Sequence, residues 1–174
     1  GIIKKGFIEY IDKYIISIDN IVNGNGSPKD YYLCKYSTLQ NFKRLNLTTL
    51  RRSKPRDLDT ENLNHAIIEG IRDKKGKNII QLDLRRLEDA PADFFIICEG
   101  DSSTHIKAIS DSIYKKVKED VYTTPSHTEG STNARWVLMD YFNTVVHVFY
   151  PETRQFYELE QLWSDAESTE FAEV

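Results

Sequence analysis

The run Asp93 to Glu99 reads as a strand that ends at Gly100 and passes through Asp101, Ser102 and Ser103 into a helical pattern. A turn of this kind presents backbone N–H groups at a helix N-terminus, where a phosphate could sit. Nucleotidyl transfer there would also need two or three carboxylates on a neighbouring strand to hold divalent metal around a triphosphate. The strand expected beside it, Trp136 to Tyr141, offers Asp140 alone. Asp57-Leu58-Asp59 has D-x-D spacing but stands before a helix, where capping accounts for it better. The Gly100–Ser103 turn is therefore read as a helix cap, and no metal or cofactor is expected.

Other reactive residue types are scattered. His65, His105, His127 and His147 fall on different elements, without H-x-x-x-H or H-E-x-x-H spacing. His147 lies inside an apolar strand and reads as a hydrogen-bonded sheet residue. No G-x-S-x-G elbow supplies a nucleophile, and Cys98 reads as a core residue. The densest local grouping is Trp136, Met139, Tyr141, Phe142, His147 and Phe149, with Asp140 beside them. Aromatic anchors next to a charge are what protein interfaces favour. Strand alternation sends some of these side chains inward, so interface and core both remain open on composition alone.

The elements that must position these residues follow from periodicity. Ile3, Phe7, Ile11, Tyr14 and Ile18 make an amphipathic stripe over residues 1–19. A turn-rich break at Asn20 to Pro28 and a basic stretch from Phe42 to Arg56 follow, so 1–56 reads as an amphipathic helix and linker, with a weakly structured or non-native extension as the equal alternative. From Asp57 the pattern is regular. Leu63, Ala66, Ile67, Gly70 and Ile71 share one helical face, with Asp59 and Thr60 as caps. Asn78 to Leu84 and the nearly continuous apolar run Asp93 to Glu99 read as strands, the second buried on both faces. A helix with the face Ile106, Ile109, Ile113 and Val117 comes next, then a polar loop over 121–133. Arg135 to Tyr141 and Thr144 to Phe149 form a hairpin whose turn is Phe142-Asn143, with Asn143 expected to accept positive φ. Pro151 to Gln155 reads as a turn, Tyr157 to Trp163 as a short helix, and the acidic end from Ser164 as frayed, with 167–174 as an acidic tail. The fold class is α/β, a small mixed sheet flanked by helices.

The 174 residues are 40% hydrophobic and 29% charged, which suits one ordinary domain with an appendage. Uncharged runs of about a dozen residues are short of the ~20 that a membrane-spanning helix needs. Two cysteines, Cys34 and Cys98, cannot staple a secreted scaffold, so a cytosolic, reduced protein is expected. The net charge of −4 conceals an asymmetry: residues 1–56 carry 11 Lys/Arg against 4 Asp/Glu, and residues 57–174 carry 12 against 23. An acidic domain repels phosphates and suits a basic partner.

Several runs occur together in order: Leu82-Asp83-Leu84, Ala92 to Ser102, Glu129-Gly130, Trp136 to Tyr141, Val145 to Phe149 and Phe156 to Trp163. Over residues 58–166 this set resembles the ribosomal silencing factor family (RsfS, also called Iojap). The resemblance implies a nucleotidyltransferase-like fold without catalysis, in line with the missing carboxylates. It implies binding to the large ribosomal subunit through its fourteenth ribosomal protein, blocking small-subunit joining and damping translation when nutrients are short. The family's contact surface centres on the hairpin, which carries Trp136, Asp140, Tyr141, His147 and Phe149 over as partner-binding residues. Phe142 and Asn143 complete the set at a turn where the family usually has Gly-Asp. The basic arm would reach ribosomal RNA phosphates, and exposed hairpin aromatics would let two copies associate. A biogenesis or scaffold role on the same surface is the alternative, and a metal-dependent nucleotidyltransferase a more distant one.

Overall fold

The structure, a computed structural model, describes residues 59–87 and 90–172. The expectations for residues 1–56 lie outside the described residues. Among those described, the order is α1 (Thr60–Arg72), β1 (Lys77–Asp83), β2 (Phe94–Glu99), α2 (Ser103–Asp120), β3 (His127–Glu129), β4 (Trp136–Asp140), β5 (Thr144–Phe149), α3 (Pro151–Tyr157), α4 (Leu159–Leu162) and β6 (Glu167–Phe171).

Capping sets the helix starts. The Asp59 carboxylate accepts from the N–H of Glu61 at 3.1 Å and of Asn62 at 3.4 Å, which begins α1. Ser102 Oγ accepts from His105 N–H at 3.1 Å and begins α2, so the Gly100–Ser103 turn does act as a cap. The expected apolar stripes of both helices are buried, and the two pack against each other over one face of the sheet.

The six strands run β3-β4-β5-β2-β1-β6. The central β2–β5 pair is parallel and the other pairs are antiparallel, which makes the sheet mixed. Central strands must be apolar on both faces, and Phe94 to Cys98 and Thr144 to Phe149 are buried throughout. Val137, Met139, Val146, Val148, Ile96 and Cys98 face α1 and α2. The alternate residues Trp136, His147, Phe149 and Phe95 face the other way, where Tyr157 and Trp163 lie against them. No described helix is long and apolar enough to cross a membrane.

Outside the hairpin turn, the structure corrects the sequence reading at three elements. The polar loop over 121–133 contains β3, whose residues His-Thr-Glu have no apolar alternation because β3 borders the sheet. The turn assigned to Pro151–Gln155 is helix α3, with Pro151 in its first turn, where proline's missing N–H costs nothing. The expected frayed tail over 167–174 contains β6, paired in register with β1 from Ile79↔Phe171 to Asp83↔Glu167. Its residues are mostly exposed, so burial gave no periodic signal.

Gly70 lies on the face of α1 that packs directly against the backbone of α2. A Cβ built on it would stand 2.8 Å from Ile113 Cα, a backbone atom that cannot swing aside. Alanine would improve helix propensity by about 1 kcal/mol. Forced repacking of two helices costs about 1–3 kcal/mol, so the clash wins. Gly70→Ala should therefore lower the urea midpoint; a raised midpoint would show that the helices separate freely.

Candidate functional site

The β4–β5 hairpin is held at its turn by three side chains. Asp140, only 2% exposed, turns its Oδ1 back to accept from Phe142 N–H at 2.8 Å. The Asn143 N–H donates to Tyr141 O at 3.0 Å, and Phe142 between them has φ +71°. This is a tight three-residue turn with the central residue on the positive-φ side, a strained conformation for a non-glycine. The expectation that Asn143 carries the positive φ is thus corrected: Phe142 does. Asn143 has other tasks. Its carbonyl accepts from Asp93 N–H at 2.9 Å and Phe94 N–H at 3.0 Å, and its Nδ2 donates to Thr60 Oγ1 at 3.0 Å. Thr144 Oγ1 donates to Asn64 Oδ1 at 2.5 Å. The turn is tied at once to β2 and to α1.

Behind the turn, the second face of the sheet carries an aromatic cluster. Trp136 stacks on Phe149 with ring centroids 4.7 Å apart. Its indole Nε1–H donates to His147 Nδ1 at 3.2 Å. Indole is only a donor, so His147 Nδ1 must be an acceptor, and the neutral ring carries its proton on Nε2. Nε2 is buried without a hydrogen-bond partner, and the Phe95 ring meets the imidazole edge-on at 4.7 Å. Burial with no compensating charge pushes the His147 pKa down from 6.5 to about 3.

The seven residues expected to bind a partner are therefore placed unequally. Trp136, Asp140, Tyr141, Asn143, His147 and Phe149 are all buried within the chain, and Phe142 at the tip is 37% exposed. Trp136, His147 and Phe149 meet on the second face, whereas Tyr141 packs in the α1–α2 core, where burial raises the pKa of its hydroxyl. The aromatic area on which self-association was expected is folded inside, Phe142 apart. Asp140 already uses one carboxylate oxygen on Phe142. Cys98 is a core residue whose thiol burial pushes up to about 12.

Two features escaped the sequence reading. Thr60 and Asn64 support the turn from 80 or more residues away, and neither carries a local mark of that role. Arg154, 7% exposed on α3, donates to Asn78 O at 2.7 Å, Glu99 Oε1 at 3.1 Å and Glu160 Oε1 at 2.6 Å. It clamps α3 and α4 to the ends of β1 and β2. Between those helices Glu158 takes a left-handed φ of +46°.

Comparison with known proteins adds to this geometry. The profile of the family described as "Ribosomal silencing factor during starvation" matches residues 57–174. A ribosomal silencing factor RsfS from Halalkalibacterium halodurans is 35% identical over 117 residues, 67% of this chain and 98% of that one. A mouse protein named "Mitochondrial assembly of ribosomal large subunit protein 1" is 35% identical over 77 residues, 41% of this chain and 32% of that one. A crystal structure of a Chromobacterium violaceum protein superposes with a TM-score of 0.58 at 34% identity, covering 62% of this chain and 88% of the other.

The buried histidine sets a pH dependence with a definite sign. Its folded-state pKa lies below the unfolded value, so as pH falls from 6.5 toward 3 the unfolded chain takes up the proton first. Stability held in full above pH 6.5 is then lost by up to about 1.4 kcal/mol per pH unit. His147→Phe removes that titration at the constant cost of an unpaired Trp136 N–H. Urea unfolding between neutral and mildly acid pH should show the gap between native chain and variant narrowing as pH falls. Parallel stability curves would contradict the assignment.

Proposed function

The chain belongs to the ribosomal silencing factor family, and on that premise we propose that it binds the large ribosomal subunit and sterically prevents the small subunit from joining. The match over residues 57–174 is the observation that carries this reading. The partner is the subunit's fourteenth ribosomal protein, and the surface is the β4–β5 hairpin presented tip first. The action needs no catalysis, because occupying the joining face is enough.

The physical features support that role. Residues 57–174 carry 12 Lys/Arg against 23 Asp/Glu, which favours encounter with a basic ribosomal protein. The turn ties to α1 and β2 hold the hairpin rigid, so little ordering entropy is lost on docking. Buried Trp136, His147 and Phe149 act as the support of the surface, and Phe142 with the outer backbone of the turn makes the contact. The basic stretch of residues 1–56 adds attraction to ribosomal RNA phosphates, which fails as a reading if its deletion leaves the salt dependence of binding unchanged. The name of the mouse relative favours a second reading, in which the same surface serves assembly of the large subunit.

Sedimentation of purified large and small subunits with the chain separates these readings. Co-sedimentation with large subunits together with fewer joined ribosomes supports silencing. Binding with joining intact transfers the weight to assembly, and absence of binding contradicts both. At the tip, Phe142→Lys sets a like charge against a basic partner and should weaken binding about ten-fold. Phe142→Gly relieves the positive φ and places there the glycine usual in the family, so the melting temperature should hold or rise. Equal binding by Phe142→Lys would remove the tip from the interface.

A further inference from the structure

The sheet ends at β6, the edge opposite β3, with β2 and β1 between it and the hairpin. β6 pairs with β1 on one side, and its outer edge carries no strand among the described residues. Such an edge presents a row of backbone N–H and C=O groups able to template another strand. Proteins blunt an edge with short strands, charged side chains, proline, a bulge or a covering element. β6 (Glu-Ser-Thr-Glu-Phe) contains no proline, pairs with β1 without a register shift, and is exposed over Glu167 to Glu170. What it does carry is charge. Glu170 lies opposite Ile80 and Glu167 opposite Asp83, so alternation places one carboxylate on each face. Antiparallel pairing of two β6 edges about Thr169 would bring four carboxylates into one short ribbon, which disfavours a second copy. Phosphates are repelled by the same charges. A cationic extended segment is not.

A separate feature at the end of the strand points the same way. A cleft of about 350 Å³ opens there, bordered by Asn78, Ile79, Ile80 and Phe171 with Glu99, Glu170 and Arg154 as charged lining; Ile80 shares the face of Glu170, whereas the Ile79 side chain is buried in the core. The Arg154 guanidinium is shared between Glu99 and Glu160, two carboxylates to one cation, and Glu170 adds a third. The Ile80 side chain beside a negative surplus suits a lysine or arginine, whose stem packs and whose head is attracted.

We propose that the outer edge of β6 docks an extended segment of a basic protein, which adds as a further strand and sets a lysine or arginine into the cleft beside Glu170. A second base three residues away along that segment falls beside Glu167 on the opposite face, so the recognised pattern is K-x-x-K in β conformation. This surface is independent of the hairpin reading.

The test is fluorescence anisotropy of the full chain with a labelled TKVTKVT peptide and two versions N-methylated on alternate sets of amides. In a strand added at one edge only every second N–H faces its neighbour. One methylated peptide should therefore lose at least ten-fold in affinity while the other holds. The Glu167→Lys/Glu170→Lys chain, with exposed sites and its melting curve checked, should lose at least ten-fold with the unmodified peptide. No saturable binding up to about 1 mM, unchanged binding by the double variant, or equal behaviour of the two methylated peptides would each overturn the proposal.

Discussion

Thr144 Oγ1 and Asn64 Oδ1 meet at 2.5 Å across 80 residues of chain, and Asn143 beside them reaches Thr60 with its side chain and Asp93 and Phe94 with its carbonyl. This junction joins three things that local sequence cannot bring together: the first helix, the start of β2 and the turn of the hairpin. The parallel β2–β5 register begins at Phe94↔Thr144, immediately after the junction. Loss of one hydrogen bond here does more than remove a contact worth about 1 kcal/mol, because the partner group stays buried and unpaired. The hairpin is therefore a fixed part of the core and not an appended loop.

That fixity explains why residues with interface composition are buried. Trp136, His147 and Phe149 alternate toward the second face of the sheet, and their neighbours toward α1 and α2. Both faces are covered, so both sets are core. The one side chain of the set that keeps substantial exposure, Phe142, does so because the turn forces it outward at positive φ. Asp140 is bent back to support that turn. A binding reading that assigns the aromatics to support and the tip to contact asks for no unfolding before docking.

The sequence made the amphipathic helices and central strands legible because their burial is periodic: Leu63 to Ile71 and Ile106 to Val117 mark one face each, and Phe94 to Cys98 is apolar throughout. The hairpin was legible from two β-rich runs around Phe142-Asn143, although the positive φ fell on the phenylalanine, where the Asp140 carboxylate stabilises it. β3 and β6 were not legible, since border strands exposed to water carry no alternation. Nor were the Arg154 clamp or the Thr60 and Asn64 anchors, whose partners are distant in sequence. The family resemblance came from ordered motifs over 58–166, and the profile match extends through β6 to residue 174.

The central claim is that the Asn64–Thr144 contact couples α1 to the hairpin. A double-mutant cycle with Asn64→Ala, Thr144→Val and the double variant, followed by urea unfolding, measures that coupling directly. We expect an interaction of about 1–2 kcal/mol, with the double variant less destabilised than the two single losses added together. Strict additivity would show that the Asn64–Thr144 contact does not couple α1 to the hairpin.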